Sequence, residues 1–170
     1  MRNIRQIKFF KASMSYILVG HMFAQALLAF VALPGVIAIA VPVTWLWTSS
    51  HTSLVQPLGL VPLLVGFFAL LWCVRDFYIS GKGTLAPWAP PTHLVIVGLY
   101  RYTRNPMYVA VTLILLGWAL CFGVPGQFVY AVVVAVTFHL RVVLGEEPWL
   151  ARTYGIQWEH YSSRIPRWFW

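Results

Sequence analysis

The sequence contains very little charge. Of its 170 residues only 9% are Asp, Glu, Lys or Arg, and only 4 of these are acidic. No charged residue occurs in residues 12–74, 83–100 or 105–140. Runs of this length are long enough for helices that cross a lipid bilayer, which takes roughly 20 apolar residues. The scarcity of charge therefore excludes an ordinary soluble domain and predicts an all-α, polytopic integral membrane helical bundle.

Cysteine and metal-ligand patterns are also scarce. The 2 cysteines, Cys73 and Cys121, both fall inside predicted spans, so neither a disulfide framework nor a thiolate metal site is expected. The 5 histidines are scattered and lack the spacing of metal ligands. No internal repeat is evident, which argues against a secondary transporter. We therefore expect a protein that binds no metal.

The basic residues are segregated to one side of the predicted bundle. They precede the first and third apolar runs and follow the second and fourth, whereas the links around residues 49–56 and 123–126 carry no charge. This positive-inside pattern predicts that both termini are cytoplasmic, in the inner membrane of the cell. Anionic lipid headgroups are a sufficient partner for these cations, so the net charge of +8 does not indicate nucleic-acid binding.

About four transmembrane helices fit this pattern, and the predicted spans lie within Ser15–Trp47 and at Pro57–Tyr78, Pro106–Phe122 and Gln127–Leu144. Pro34 and Pro42 predict a bend or break in the first span, so five membrane segments are the alternative. The short link 123–126 predicts an antiparallel hairpin of the last two spans. A short helix ending at Gly155 and a C-terminal interfacial helix follow. Residues 1–80 thus form the N-terminal helices, and residues 81–170 form the C-terminal half.

A polar segment, Gly98–Tyr108 (GLYRYTRNPMY), precedes the third span and is called the cassette below. Asn105 suits a helix N-cap and Pro106 suits the first helical turn. A helix N-terminus presents unpaired N–H groups and a partial positive charge, so with Arg104 beside it this one can bind a carboxylate or a phosphate. The structural alternative is an interface-anchored helix whose arginines face lipid headgroups.

A second polar cluster follows the fourth span, on the same side of the membrane. It contains Arg141, Glu146 and Glu147. Two adjacent carboxylates at a membrane boundary are costly unless they are solvated or paired. They pair either with nearby arginines (Arg101, Arg104 or Arg152) or with a ligand that carries hydroxyl and ammonium groups.

These two segments carry a family resemblance. Gly98-Leu-Tyr100, Arg104-Asn105-Pro106-Met-Tyr108 and Glu146-Glu147-Pro-Trp-Leu150 resemble the isoprenylcysteine carboxyl methyltransferases and the related phospholipid N-methyltransferases, over residues 81–168. The resemblance implies a membrane methyltransferase that uses S-adenosylmethionine and lacks a soluble nucleotide-binding domain. The absence of a Gly-rich strand–helix fingerprint agrees with this.

The resemblance also implies a set of site residues. The cofactor-binding set is Thr92, His93, Leu94, Val95, Gly98, Tyr100, Arg104, Asn105, Pro106, Met107, Tyr108 and Glu146. Arg141 corresponds to an arginine associated with the substrate or the catalytic centre, and Glu147 is the candidate general base. Two departures stand out. Asn105 replaces the histidine of many relatives, and Arg141 lies five residues before Glu146 instead of one regular turn, so an irregularity at Gly145 is needed to bring both side chains inward.

The leading hypothesis is methyl transfer from S-adenosylmethionine to a lipophilic or lipidated acceptor at the cytoplasmic membrane face. The acceptor is either a carboxylate of the isoprenylcysteine type or a lipid amine. The first alternative is an NADPH-dependent membrane reductase, because some sterol reductases share a similar C-terminal helical arrangement. The second alternative is a non-catalytic accessory membrane protein.

Overall fold

A computed structural model of the chain describes residues 31–48, 56–81 and 93–169. All regular structure in these ranges is helical, which confirms the predicted all-α class. The elements are a π-helix Val31–Ala40, α1 (Val41–Thr48), a 3-10 turn Pro57–Gly59, α2 (Leu60–Gly81), a 3-10 turn Gly98–Arg101, α3 (Pro106–Phe122), α4 (Pro125–Arg141), a π-helix Val142–Glu146, α5 (Glu147–Tyr154) and α6 (Ile156–Arg164).

The N-terminal apolar region winds irregularly where prolines were expected to bend or break it. Residues 31–40 form a π-helix that contains Pro34, and this helix continues directly into α1. Proline lacks the N–H that a regular α-helical turn uses, and a wider turn is one way to accommodate it. The start of the first predicted span, residues 15–30, lies outside the described residues, so the proposed fifth membrane segment stays a prediction.

Within the part of the chain that the structure describes, two helices are long and apolar enough to cross a bilayer, Pro57–Phe77 and Pro125–Tyr154. Two shorter apolar helices, Pro34–Thr48 and Pro106–Phe122, accompany them. The long helices expose large apolar side chains, such as Phe68 (63% exposed) and Val129 (64%). Apolar surface on this scale marks contact with a membrane or a partner, and the length of the helices identifies lipid. The protein is therefore a membrane protein, while the number of four or five spans stays a prediction.

Helix α3 is the centre of the bundle. It packs along α2, against α4 and against the π-helix 31–40. Its buried side chains form the main core together with residues of the neighbouring helices; the core residues are Ala38, Leu70, Ala110, Val111, Ile114, Leu115, Ala131, Val134 and Phe138. Because α3 is surrounded by the other helices, its N-terminal end has a fixed position relative to α2 and α4.

Helices α2 and α3 approach each other closely at glycines. A Cβ atom added to Gly66 would lie 2.6 Å from the carbonyl oxygen of Ala110, and one added to Gly117 would lie 2.6 Å from the backbone nitrogen of Leu63. Small residues of this kind allow the backbones of membrane helices to pack directly. The α2–α3 contact therefore depends on residues that have no side chain.

The predicted hairpin of the last two spans is confirmed. Gly123 ends α3 in a left-handed conformation (φ +62°), and its N–H donates to the carbonyl of Ala119 at 2.9 Å. Only Val124 then separates it from the start of α4. The helix that begins at Pro125 continues beyond the predicted end of the fourth span, through the π-helix 142–146, and ends at Gly155 as expected. The hairpin brings the C-terminal end of α4 back to the N-terminal end of α3.

We expect Gly117→Ala to lower the melting temperature of the purified protein, because the new methyl group would collide with the backbone of Leu63. Overpacking of this kind costs about 1–3 kcal/mol. The matched control is Gly145→Ala, since nothing lies within 4 Å of a Cβ added at that position. A thermal melt in detergent measures both. Equal melting temperatures for the two variants would contradict close packing of α2 on α3.

Candidate functional site

The N-terminal end of α3 has no side-chain cap among the described residues. Asn105 occupies the N-cap position and Pro106 the first helical turn, as predicted. The Asn105 side chain does not cap the helix, however; its Nδ2 donates to the carbonyl of Arg167 at 3.0 Å. The first-turn N–H groups thus have no side-chain cap in the part of the chain that the structure describes, and they retain the partial positive charge of a helix N-terminus.

A π-helical turn brings Arg141 and Glu146 together. Residues five apart do not share a face in an α-helix, but the π-helix 142–146 changes the angular phase between them. The Nε of Arg141 donates to Oε1 of Glu146 at 2.8 Å. The irregularity expected around Gly145 is therefore present.

Tyr108 connects the cassette to this pair. Its hydroxyl donates to the same Oε1 of Glu146, and its ring packs against Phe138 with centroids 4.4 Å apart. Tyr108 lies in the first turn of α3, whereas Glu146 lies in the π-helix beyond α4. The two polar segments found in the sequence thus meet in one cluster, Tyr108, Arg141 and Glu146.

Glu147 occupies a separate ion-pair cluster. Its Oε1 forms an ion pair with Nη1 of Arg104 at 3.0 Å and accepts a hydrogen bond from Nε of Arg167 at 2.8 Å. Its Oε2 accepts from Nη2 of Arg167 at 2.7 Å. Hydrogen bonding to Glu147 raises the pKa of Arg167 above its ordinary value. Two guanidinium groups occupy both oxygens of Glu147, so the geometry favours the structural alternative of pairing with Arg104 over a free general base.

Arg104 is the most enclosed basic residue of the cassette. Its side chain is 13% exposed and its guanidinium lies 5.4 Å from the ring centroid of Trp158. Its Nε is buried and has no hydrogen-bond partner among the described residues. A buried N–H without an acceptor costs free energy, so Arg104 retains an unused donor close to the uncapped end of α3.

The C-terminal tail lies across the cassette. The backbone N–H of Arg104 donates to the carbonyl of Pro166, and the hydroxyl of Thr103 donates to the carbonyl of Arg167, both at 3.0 Å. The Nε1 of Trp168 donates to Nδ1 of His139 at 3.3 Å, which fixes the tail to α4. The sequence predicted an interfacial helix after Gly155. It did not reveal that Thr103 and Asn105 bind the backbone carbonyl of Arg167, because no side-chain pattern marks a backbone carbonyl.

Gly98 and Tyr100 form the inner part of the cassette. Gly98 begins the 3-10 turn with φ +55°, and Tyr100 is buried within it. The hydroxyl of Tyr161 donates to the carbonyl of Tyr100 at 2.8 Å. Burial is the main cause that raises the pKa of Tyr100 well above its ordinary value. Burial also raises the pKa of Tyr161, and the charge of Arg104 partly offsets that rise. Both phenols are therefore neutral at physiological pH.

The other predicted site residues are distributed around this turn. Val95 is buried in a small cluster with Cys73 and Tyr100, and Met107 packs between this cluster and the main core. Leu94 is half-buried and His93 is exposed. Thr92 lies outside the described residues. The structure thus brings most of the predicted set to one end of the bundle, and contact of these residues with a cofactor stays a prediction.

A comparison with protein families supplies independent information. A family model described as phospholipid methyltransferase matches residues 54–157, which is more than half of the chain. The matched region contains the cassette as well as Arg141, Glu146 and Glu147. Comparisons with curated proteins and with solved structures give no significant match.

We expect Glu147→Gln to release the C-terminal tail, because a neutral amide cannot balance the charges of Arg104 and Arg167. Loss of a charge-assisted pair in a part-buried site costs about 2 kcal/mol. Tryptic cleavage after Arg167 then becomes faster, while cleavage after the exposed Arg164 serves as the internal reference. Glu159→Gln, on the exposed face of α6, is the matched control. Unchanged protection of Arg167 would show that Glu147 does not hold the tail.

Proposed function

The chain belongs to the phospholipid methyltransferase family, and on that premise we propose that it transfers a methyl group from S-adenosylmethionine to a lipophilic acceptor. The reaction takes place at the cytoplasmic face of the inner membrane. The observation that carries this proposal is the cluster in which Tyr108 and Arg141 converge on one oxygen of Glu146, at the uncapped end of α3. A protein that only spans lipid has no need for such a polar cluster at the end of a helix.

The residues at this end fit the charges of the cofactor. The uncapped first turn of α3 and the unused Nε of Arg104 suit the carboxylate of its methionyl group. Among the described residues both hydrogen bonds to Glu146 fall on Oε1, so Oε2 is left to accept a hydrogen bond from a ribose hydroxyl. The aromatic ring of Tyr108 is suited to a position near the sulfonium. When bound, the cofactor would supply an activated methyl group, which passes to the acceptor in line as the methyl–sulfur bond breaks and S-adenosylhomocysteine leaves.

Arg141 is placed to orient the acceptor. Its Nε is used by Glu146, and about half of its side chain is exposed, so the terminal N–H groups face outward. Exposed apolar residues on the same helix, Val136, Leu140 and Leu144, lead from the lipid-facing surface toward Arg141. Val136 and Leu140 are four residues apart and share one side of α4, and Leu144 follows in the π-helix. A lipid chain can therefore approach along α4 while its polar group meets Arg141.

Glu147 has a different task in this proposal. Its two oxygens hold Arg104 and Arg167, so we assign it to positioning the cassette and the tail instead of abstracting a proton. Alignment of acceptor, methyl group and sulfur in one line supplies much of the acceleration of such a displacement. The residues that bind and orient therefore carry the main part of catalysis.

We expect the purified wild-type protein to bind S-adenosylhomocysteine in titration calorimetry, and Glu146→Gln to weaken this binding about tenfold or more, since a charge-assisted hydrogen bond is lost. Glu159→Gln is the control and binds as the wild type does. If folded wild-type protein binds no S-adenosylhomocysteine, the proposal fails; binding of NADPH in its place would favour the reductase alternative.

We expect Arg141→Lys to lower the rate of methyl transfer about tenfold with little change in the affinity for S-adenosylhomocysteine, because lysine keeps the charge beside Glu146 but lacks the planar fork of donors. Membranes supplied with methyl-labelled S-adenosylmethionine provide the assay. Treatment of the labelled product with base separates the two acceptor classes, since a methyl ester releases methanol and an N-methyl amine does not. Arg164→Lys is the control, and an unchanged rate for Arg141→Lys would remove Arg141 from the site.

A further inference from the structure

Asp76 is a buried carboxylate that neither the cassette nor the second polar cluster includes. It lies on α2 and is only 7% exposed. Its Oδ1 is 3.6 Å from Nη1 of Arg75, whose side chain is largely exposed. Its Oδ2 is fully buried and has no hydrogen-bond partner among the described residues. A carboxylate oxygen in this condition costs free energy, and an ionisable residue of this kind in a membrane helix points to a function.

The unpartnered oxygen faces the start of the cassette. A Cβ atom on Gly98 would collide with Oδ2 of Asp76 and would lie 2.9 Å from Nε1 of Trp72. Gly98 also has φ +55°, which an L side chain rarely adopts. Glycine at this position therefore allows the backbone of the cassette to lie directly against the carboxylate. Asp76 thus borders the same end of the bundle as Tyr100.

The other carboxylates of the chain either have partners or are exposed. The sequence contains 4 acidic residues in all. Glu146 is held by Tyr108 and Arg141, and Glu147 is held by Arg104 and Arg167. Glu159 is exposed on α6. Asp76 is therefore the remaining buried carboxylate near the cassette that can accept a hydrogen bond from a ligand.

We infer that Asp76 is a cofactor-binding residue whose Oδ2 accepts a hydrogen bond from a nitrogen donor of the bound cofactor. The donor is either the amine of the aminoacyl group or the exocyclic amine of adenine. This inference rests on the proposed function and adds to it a residue on α2. Among the described residues, the buried side-chain atoms without partners near the cassette are an acceptor on Asp76 and a donor on Arg104.

The test is calorimetry of S-adenosylhomocysteine binding to Asp76→Asn, together with melting temperatures measured without ligand. We expect affinity to fall about tenfold or more, because the amide has no charge to offer the donor. We also expect the unliganded variant to melt at or above the wild-type temperature, since a buried charge has been removed. Glu159→Gln is the control, and Asp76→Ser is the second variant if Asp76→Asn does not fold. Unchanged affinity in the folded variant would overturn the inference.

Two ligand analogues identify the nitrogen and need no variant. S-Inosylhomocysteine lacks the exocyclic amine, and the desamino analogue of S-adenosylhomocysteine lacks the aminoacyl amine. The donor is the amine whose removal weakens binding to the wild type but causes no further loss of affinity in Asp76→Asn. If both analogues bind the wild type as tightly as S-adenosylhomocysteine, the inference is wrong. Failure of the wild type to bind S-adenosylhomocysteine would instead reject the proposed function.

Discussion

A carboxylate that enters the boundary of a bilayer must be given a partner by the protein itself, because lipid offers none. This constraint organises the end of the bundle where α3 begins. Glu147 is held between Arg104 and Arg167, and this cluster fixes the cassette, the start of α5 and the C-terminal tail relative to one another. Beneath these charges the helices pack mainly through apolar residues and glycines, with hydrogen bonds from Trp118, Gln127 and Tyr130 to backbone carbonyls of the N-terminal helices.

The π-helix 142–146 has a separate consequence. In a regular α-helix, Arg141 and Glu146 would point in different directions. The wider turn places Glu146 on Arg141 and Tyr108, and leaves Glu147 to the arginines of the cassette and the tail. Two neighbouring carboxylates thereby acquire different environments. Glu146 retains Oε2 for a ligand, whereas both oxygens of Glu147 are occupied.

Much of the fold could be predicted from local signals. The bounds of α3, the turn at Gly123 and the helix end at Gly155 follow from proline, glycine and the length of the apolar runs. The π-helical turn was foreseeable from the spacing of Arg141 and Glu146 because the family resemblance required both to face inward. The position of the C-terminal tail could not be predicted from local signals. Its carbonyl groups bind Thr103 and Asn105, and backbone groups leave no trace in the sequence.

The sequence by itself determined the class of protein and the elements that carry its polar residues, because helix ends and apolar length depend on residues close together in the chain. The tertiary structure decided which oppositely charged side chains form pairs. Arg167 contacts a carboxylate 20 residues before it, and its carbonyl binds a side chain 64 residues before it. The contact of Asp76 with Gly98 likewise depends on how α2 packs against the cassette. Pairings over such distances depend on how the helices pack, and no local pattern encodes them.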